Sequence, residues 1–400
     1  MSLNSTPSSE RIHIGFFGRT NAGKSSVVNS ITGQNVSIVS EFKGTTTDPV
    51  YKAMELLPLG PVSIIDTPGI DDEGKLGKLR IEKTKQILKR VDIAILIVDA
   101  SIGISQVDND LISVFNENNT KYIVVYNKLD LISDKKQLNS NEIYVSAKEN
   151  KNIFELKELI ATCAAKTVKE QPLVKDLVSK NDIVILVTPI DESAPKGRLI
   201  LPQQQVIREL LEVGTITLVV QVNELEHSLN LLNKKPKVVI TDSQVFDKVN
   251  ELLPDDVFLT SFSILFARYK GILKTAVQGV KQIEFLEDDD IVLISEGCTH
   301  HRQCNDIGTV KLPTWIKKYT GKNLNFEFTS GIDFKQDLSK YKMVIHCGGC
   351  MLKDLEVQNR YRNATKHQLP ITNYGITIAY MNGILKRSVE IFSDIYSVFE

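Results

Sequence analysis

The stretch GRTNAGKS, Gly18 to Ser25, confines its surroundings more tightly than any other part of the chain. It follows the apolar run RIHIGFF and leads into SVVNSI, a pattern that predicts a buried strand, a tight loop and the first turn of a helix. A loop of the form G-x-x-x-x-G-K-S turns successive backbone N–H groups toward one point where phosphate oxygens can sit. Here they run from Gly18 through Asn21, Ala22 and Gly23 to Ser26. Gly23 lets the chain approach the phosphates, Lys24 neutralises the β and γ oxygens, and the Ser25 hydroxyl is suited to ligate magnesium.

Three later segments extend this reading. Asp66-Thr67-Pro68-Gly69 ends the apolar run VSIID, so Asp66 sits at a strand end where it can hold a magnesium-bound water, and the Gly69 amide can sense a γ-phosphate. Asn127-Lys128-Leu129-Asp130 follows YIVVY. A carboxylate at Asp130 can accept from N1–H and the exocyclic amine of guanine, which adenine does not offer, so the segment predicts guanine specificity. Ser146-Ala147-Lys148 follows EIYV and brings the Ala147 amide to the guanine oxygen. An ordinary strand-to-helix turn would not be followed by the other three segments in this order. The expectation is an α/β P-loop domain over residues 1–170 that binds GTP or GDP with Mg2+.

These residues resemble the translation-factor-like small GTPases, in particular the Era and TrmE branch with its GRxNxGKS loop. The resemblance implies that Gly44-Thr45-Thr46-Thr47-Asp48 is a switch segment in which Thr46, or else Thr45, closes over magnesium. It also implies that Lys24, Thr46, Asp66 and Gly69 carry GTP hydrolysis. Asn21 matches the position of a potassium ligand in some relatives, although asparagine in a tight loop equally serves turn geometry. Ile70 stands where a water-orienting glutamine would be needed; Asp71, Asp72 and Glu73 are candidates for that role but read first as a solvated loop, so slow intrinsic hydrolysis is expected.

The pattern restarts near Lys180. DIVILVTPI, TITLVVQV and PKVVITD alternate with helical PQQQVIRELLEVG, ELEHSLNLL and QVFDKVNELL, which predicts a small α/β unit over residues 171–262. It carries no paired carboxylates, no nucleophile beside a base and no phosphate loop. His227 reads as a surface or packing residue, and Cys163, in the helix before this unit, as a small core residue. A compact sheet without chemistry is suited to association through an edge strand or an apolar helix face.

Four of the five cysteines fall in two groups in the last third. CTHHRQC holds Cys298, His300, His301 and Cys304, and MVIHCGGC holds His346, Cys347 and Cys350. Each group begins where an apolar strand stops, after IVLISEG and after MVIH. In a parallel sheet the carboxyl ends of strands line one edge, so the two groups meet if these strands are neighbours. C-x-x-C lets two thiolates grip one centre from a single turn, and Gly348 and Gly349 permit that turn and offer amides to sulfur. Cys298 adds a third thiolate. Spacing alone leaves two readings equally open, an iron–sulfur cluster and a structural zinc closed by Cys298, His300 or Cys304, Cys347 and Cys350. A redox C-x-x-C is a third option. Around these groups SFSILFARYKGILKTAVQGVKQIEFL reads as one helix, LNFEF and YKMVIH as strands, and WIKKYTG and MLKDLEVQNRYRNA as helices.

The pattern C-x-H … H-C-x-x-C, together with GRLILPQQQVIREL, TSFSILFARYKG and PITNYGITIAYMNGIL, resembles the HydF family, the GTPases among the maturation proteins of FeFe-hydrogenases. The likeness covers essentially the whole chain. It implies an α/β P-loop GTPase domain (1–170), a small α/β dimerisation domain (171–262) and an α/β iron–sulfur cluster-binding domain (263–400). It implies a 4Fe–4S cluster on Cys298, Cys347 and Cys350, with His300 and His346 as labile ligands or nearby donors. The fourth iron position stays open among His300, His346, Cys304, a carboxylate, water and cargo, because His301 and Cys304 lie outside the family pattern. It further implies a scaffold, active as a homodimer or higher homo-oligomer, that takes a di-iron precursor from radical-SAM maturases and delivers it to apo FeFe-hydrogenase. The competing expectation is an Era- or TrmE-like GTPase associated with RNA or the ribosome and carrying a structural zinc.

Charge bears on that choice. Basic and acidic residues number 48 and 49, so no global field draws the chain to nucleic acid or to anionic membrane. The apolar runs fall far short of the roughly 20 residues of a membrane helix. The polar start MSLNSTPSSE has no secretory pattern, and an odd cysteine count argues for a reducing compartment. A cytoplasmic protein without membrane or nucleic-acid partners is expected.

Overall fold

The computed structural model describes residues 10–33, 50–67, 84, 87–88, 90–165, 171–190, 199–297, 306–331, 334–335 and 337–397. The chain forms two compact units, Met1–Glu170 and Gln171–Glu400. In the first, a six-stranded sheet has the order β2-β3-β1-β4-β5-β6. Its strands are β1 (Ile12–Gly18), β2 (Val50–Leu56), β3 (Gly60–Asp66), β4 (Ile93–Asp99), β5 (Lys121–Asn127) and β6 (Glu142–Tyr144). All neighbours run parallel except β2, which is antiparallel to β3.

The run IAILIVD shows why this sheet is covered on both faces. Side chains alternate across a strand. Ile93, Ile95 and Ile97 therefore join one core with α1 (Lys24–Thr32) and α3 (Ile153–Ala165). Ala94, Leu96 and Val98 join a second core with α2 (Gln106–Glu117). A continuous apolar strand needs helices on each side, and the chain supplies them. Cys163 packs at the margin of the first core.

The second unit holds two parallel sheets of four strands, ordered β10-β9-β7-β8 and β12-β11-β13-β14. The first is built from β7 (Ile183–Val187), β8 (Ile216–Val220), β9 (Val238–Thr241) and β10 (Phe258–Ser261). The second is built from β11 (Ile291–Ser295), β12 (Asn325–Thr329), β13 (Met343–His346) and β14 (Ile371–Asn373). Helices α4 (Leu201–Val213), α5 (Leu225–Leu231) and α6 (Phe246–Leu252) belong to the first half. The remaining helices are α7 (Phe262–Tyr269), α8 (Leu273–Val280), α9 (Leu312–Thr320), α10 (Asp354–Lys366), α11 (Tyr374–Met381), α12 (Leu385–Val389) and α13 (Ser393–Tyr396). α12 packs on β10 and α8 on β14, and one apolar core runs from Val174 to Ile395 through both sheets. The two halves are thus welded by a shared interior.

Two features depart from the sequence expectation. The stretch read as one helix over 261–286 is broken into α7, α8 and a 3-10 turn at Lys281–Phe285. Gly271 takes a φ of 70°, a left-handed conformation that ends α7 and redirects the chain. Strands β10 and β14 were not anticipated, because four and three residues carry too little alternation to be read. Among the described residues no helix is long and apolar enough to cross a membrane.

Candidate functional site

The first site lies at the carboxyl edge of the six-stranded sheet, where β1, β3, β5 and β6 end. Gly18 closes β1 with a φ of 138°, and a Cβ there would meet the Ile97 carbonyl oxygen at 2.3 Å. Gly23 caps α1 with a φ of 90°, and its Cβ would sit 2.2 Å from the Asn127 amide nitrogen. Glycine is required at both positions by conformation and by space. The first turn of α1 contains no acidic residue, so the field at its N-terminus favours an anion. Lys24 donates to the carbonyls of Gly18 (2.9 Å) and Arg19 (3.0 Å), which draws its ammonium over the loop. Ser25 and Ser26 are exposed on the same turn, and Ala22 is buried beneath it. Asn21 has a φ of 66°, a left-handed conformation that asparagine tolerates in a tight turn.

Asp66 ends β3 in register with Phe16. Burial pushes its carboxyl above the ordinary carboxylate range, offset in part by Lys24 and by the Thr67 amide. Asn127, 3% exposed, spends both polar ends inside the protein. Its Nδ2 donates to the Ala22 carbonyl at 3.1 Å and its Oδ1 accepts from the Ala147 amide at 3.1 Å. It thereby ties the phosphate loop to the base-reading loop, and Ser30 on α1 adds a bond to the Ala147 carbonyl at 3.0 Å. Lys128 takes a left-handed φ of 66° and pairs with Asp99 at 2.5 Å. Asp130 accepts from the buried Ser146 hydroxyl at 2.6 Å, which holds its carboxyl below the ordinary range. Lys148 is exposed beside it. Thr45, Thr46, Gly69 and the Ile70, Asp71, Asp72 and Glu73 run lie outside the described residues.

The second site lies at the carboxyl edge of the sheet β12-β11-β13-β14. β11 and β13 are parallel neighbours, with Ser295 opposite His346. The Cys347 amide donates to the Ser295 carbonyl at 2.8 Å, which extends that pairing past the strand ends. Gly297, the residue before Cys298, donates its N–H to Cys347 Sγ at 3.0 Å, and the Gly349 N–H donates to the same sulfur at 3.3 Å. Two amides aimed at one sulfur favour a thiolate. Burial nevertheless pushes the Cys347 thiol up to about 11, and Cys350 is raised for the same reason. Cys298, His300, His301 and Cys304 lie outside the described residues. The described chain leads to within one residue of Cys298 at the Cys347 sulfur.

His346 is fully buried. Arg360 Nη1, which can only donate, lies 3.1 Å from its Nε2. The proton is therefore on Nδ1, which donates to the Cys347 carbonyl at 2.6 Å. Burial, seconded by Arg360, pushes the imidazole down to about 3, so the ring is neutral. With both nitrogens engaged, His346 orients the Cys347 peptide. Arg360 also donates to the Gly331 carbonyl and to Glu356, each at 2.7 Å. Sequence reasoning missed Arg360, although its spacing of four from Glu356 along one helix was a readable sign.

Among the described residues no three His, Cys, Asp or Glu side chains gather as a metal site. Cys347 and Cys350 are both free thiols, and soft sulfur donors flanked by amide N–H groups suit an iron–sulfur centre.

A doubly wound α/β unit with a glycine loop, a strand-end aspartate and a braced asparagine is a P-loop GTPase domain, and here it precedes two small parallel sheets. Comparison with known families agrees. Residues 13–128 match a 50S ribosome-binding GTPase model, residues 173–271 the hydrogen maturase F dimerization domain, and residues 274–391 the hydrogen maturase F tetramerization domain. The last two together span more than half of the 400 residues, and the chain belongs to the hydrogen maturase F family.

Among curated relatives, the tRNA modification GTPase MnmE of Acetivibrio thermocellus is 31% identical over 196 residues, 46% of this chain and 42% of that protein. GTPase Der of Kosmotoga olearia is 32% identical over 192 residues, 43% of each. The chain thus spans less than half the length of these relatives. A solved structure of Era from Aquifex aeolicus, bound to GDP and aluminium fluoride, is 20% identical with a TM-score of 0.34, covering 55% of this chain and 98% of that one.

Proposed function

We propose that the chain is a GTP-hydrolysing scaffold that holds a 4Fe–4S cluster and carries a di-iron precursor from radical-SAM maturases to apo FeFe-hydrogenase. The observation that carries this reading is the bond from Gly297 N–H to Cys347 Sγ, in a chain that joins a GTPase domain to hydrogen maturase F domains. It brings the residue before Cys298 to the Cys347 sulfur at one sheet edge.

In the nucleotide site, the amides of the Gly18–Ser26 loop bind the phosphates, and oxygens of the β and γ groups replace the carbonyls that Lys24 now contacts. Ser25 and Thr46 ligate Mg2+, and Asp66 orients one of its waters. Asp130, held ionised by Ser146, receives guanine, and the Ala147 amide reads its oxygen. Asn127 keeps the two ends of the nucleotide cleft at a set distance. In the cysteine site, Cys298, Cys347 and Cys350 would hold the cluster, Gly297 and Gly349 direct N–H groups at sulfur, and His346 fixes the turn. A cluster held there would supply an iron with an exchangeable ligand.

Anaerobic reconstitution with ferrous iron and sulfide, followed by metal analysis, tests this. About four irons per chain and absorption near about 400 nm are expected. A colourless protein holding one zinc per chain would favour the RNA- or ribosome-associated alternative instead.

The scaffold works as a homo-oligomer. β8 is an edge strand whose Ile216 and Val219 are 52% and 47% exposed, and an apolar edge of this kind invites a second copy. Val219→Lys should halve the mass seen by light scattering at micromolar concentration; an unchanged mass would exclude β8 from the interface.

A further inference from the structure

Lys270 is the only buried lysine among the described residues, 2% exposed. A buried ammonium is costly unless its surroundings need the charge. Its Nζ donates to the Leu352 carbonyl at 3.0 Å and to Asp354 Oδ1 at 2.8 Å. Its own carbonyl accepts from Gln358 Nε2 on α10 at 3.0 Å. Side chain and backbone of one residue therefore hold both ends of the segment that follows Cys350. The hold reaches the sulfur: the Leu352 amide donates to the Gly349 carbonyl at 3.0 Å, and the Gly349 amide donates to Cys347 Sγ at 3.3 Å. α7 itself is anchored, since Arg268 donates to Asp176 at 3.0 Å.

The charge is incompletely offset on the inside. Asp354, the carboxylate partner, has a side chain 44% exposed, so water screens it, whereas the Lys270 side chain is 3% exposed. Arg360, across the turn, faces the better-buried Glu356, 13% exposed. Thiolates bound to a cluster bring net negative charge to this edge, and reduction adds more. A cation in a low-dielectric setting stabilises that charge over several ångströms.

We propose that Lys270 is a positioning residue of the cysteine edge, bracing the turn from Gly349 to Asp354 and offsetting the negative charge of the thiolates and the cluster. This rests on the cluster reading above. The test uses the full chain, reconstituted anaerobically, with the cluster's reduction midpoint measured by EPR during a mediated dithionite titration. Lys270→Met should move the midpoint to more negative potential, Lys270→Arg should restore it, and Asp354→Asn, which leaves the cation uncompensated, should move it to more positive potential. Opposite signs for Lys270→Met and Asp354→Asn distinguish charge from mere packing. Equal signs, or no shift, overturn the proposal, and should Lys270→Met fail to fold, Asp354→Asn alone decides by its sign. In metal-free protein, amide exchange of residues 351–357 should speed about tenfold in Lys270→Met, and unchanged exchange there overturns the brace. A wild-type chain that takes up no iron refutes the cluster reading itself, and the exchange measurement still judges Lys270.

Discussion

Asp130→Asn should weaken GTP binding by roughly 100- to 10,000-fold while transferring preference to the xanthine nucleotide. The Asp130 carboxylate, kept ionised by the Ser146 hydroxyl at 2.6 Å, is the acceptor for two guanine N–H groups. The substitution removes the charge that strengthens both bonds and sets a donor against one of the two guanine donors. An asparagine can still accept from N1–H, but its amide opposes the guanine amine and matches the xanthine oxygen instead. Calorimetric titration with GTP, XTP and ATP reads this directly. Lys24 and the loop amides are untouched, so any common phosphate contribution cancels between nucleotides. Equal affinity of wild type and variant for GTP would mean that the base is read elsewhere.

Cys347→Ser should empty the second site while leaving the first intact. Cys347 Sγ accepts from both Gly297 and Gly349 and lies in the turn that His346 orients, so it is the sulfur on which both segments converge. A serine hydroxyl is a harder donor that holds its proton at neutral pH and binds iron weakly. After anaerobic reconstitution the variant should retain less than about one iron per chain against about four, and lose the absorption near about 400 nm. GTP turnover should stay within about twofold of wild type, because no residue of the phosphate edge is altered. Retention of wild-type iron by the variant would remove Cys347 from the ligand set.

The phosphate edge was legible because its chemistry is local. Gly18, Gly23, Lys24 and Ser25 lie within one loop, and each later segment follows its own apolar strand. The sequence let the cysteine groups meet only on the condition that the strands before them are neighbours; β11 does lie beside β13, and Gly297 reaches the Cys347 sulfur. What escaped was long-range. Asn127 stood in the guanine-reading segment with no role of its own, and its bonds to Ala22 and Ala147 reach 105 and 20 residues away. Lys270 looked like one more polar residue in a long helix, because nothing local announces that Gly271 breaks the helix there and that Leu352 accepts from its ammonium. His346 was read as a possible labile ligand, and only the approach of Arg360, fourteen residues on, reveals which nitrogen carries the proton.

The pairing of β11 with β13 has a consequence in time. Gly297 and Cys347 Sγ lie 50 residues apart along the chain and are joined only after a parallel crossover has closed. Parallel pairs form slowly, since loop-closure entropy is spent before any contact repays it. A nascent chain leaving the ribosome therefore presents the Cys347 and Cys350 pair before the Gly297 amide is held against it. On the cluster reading proposed above, selection of iron therefore belongs to the folded polypeptide.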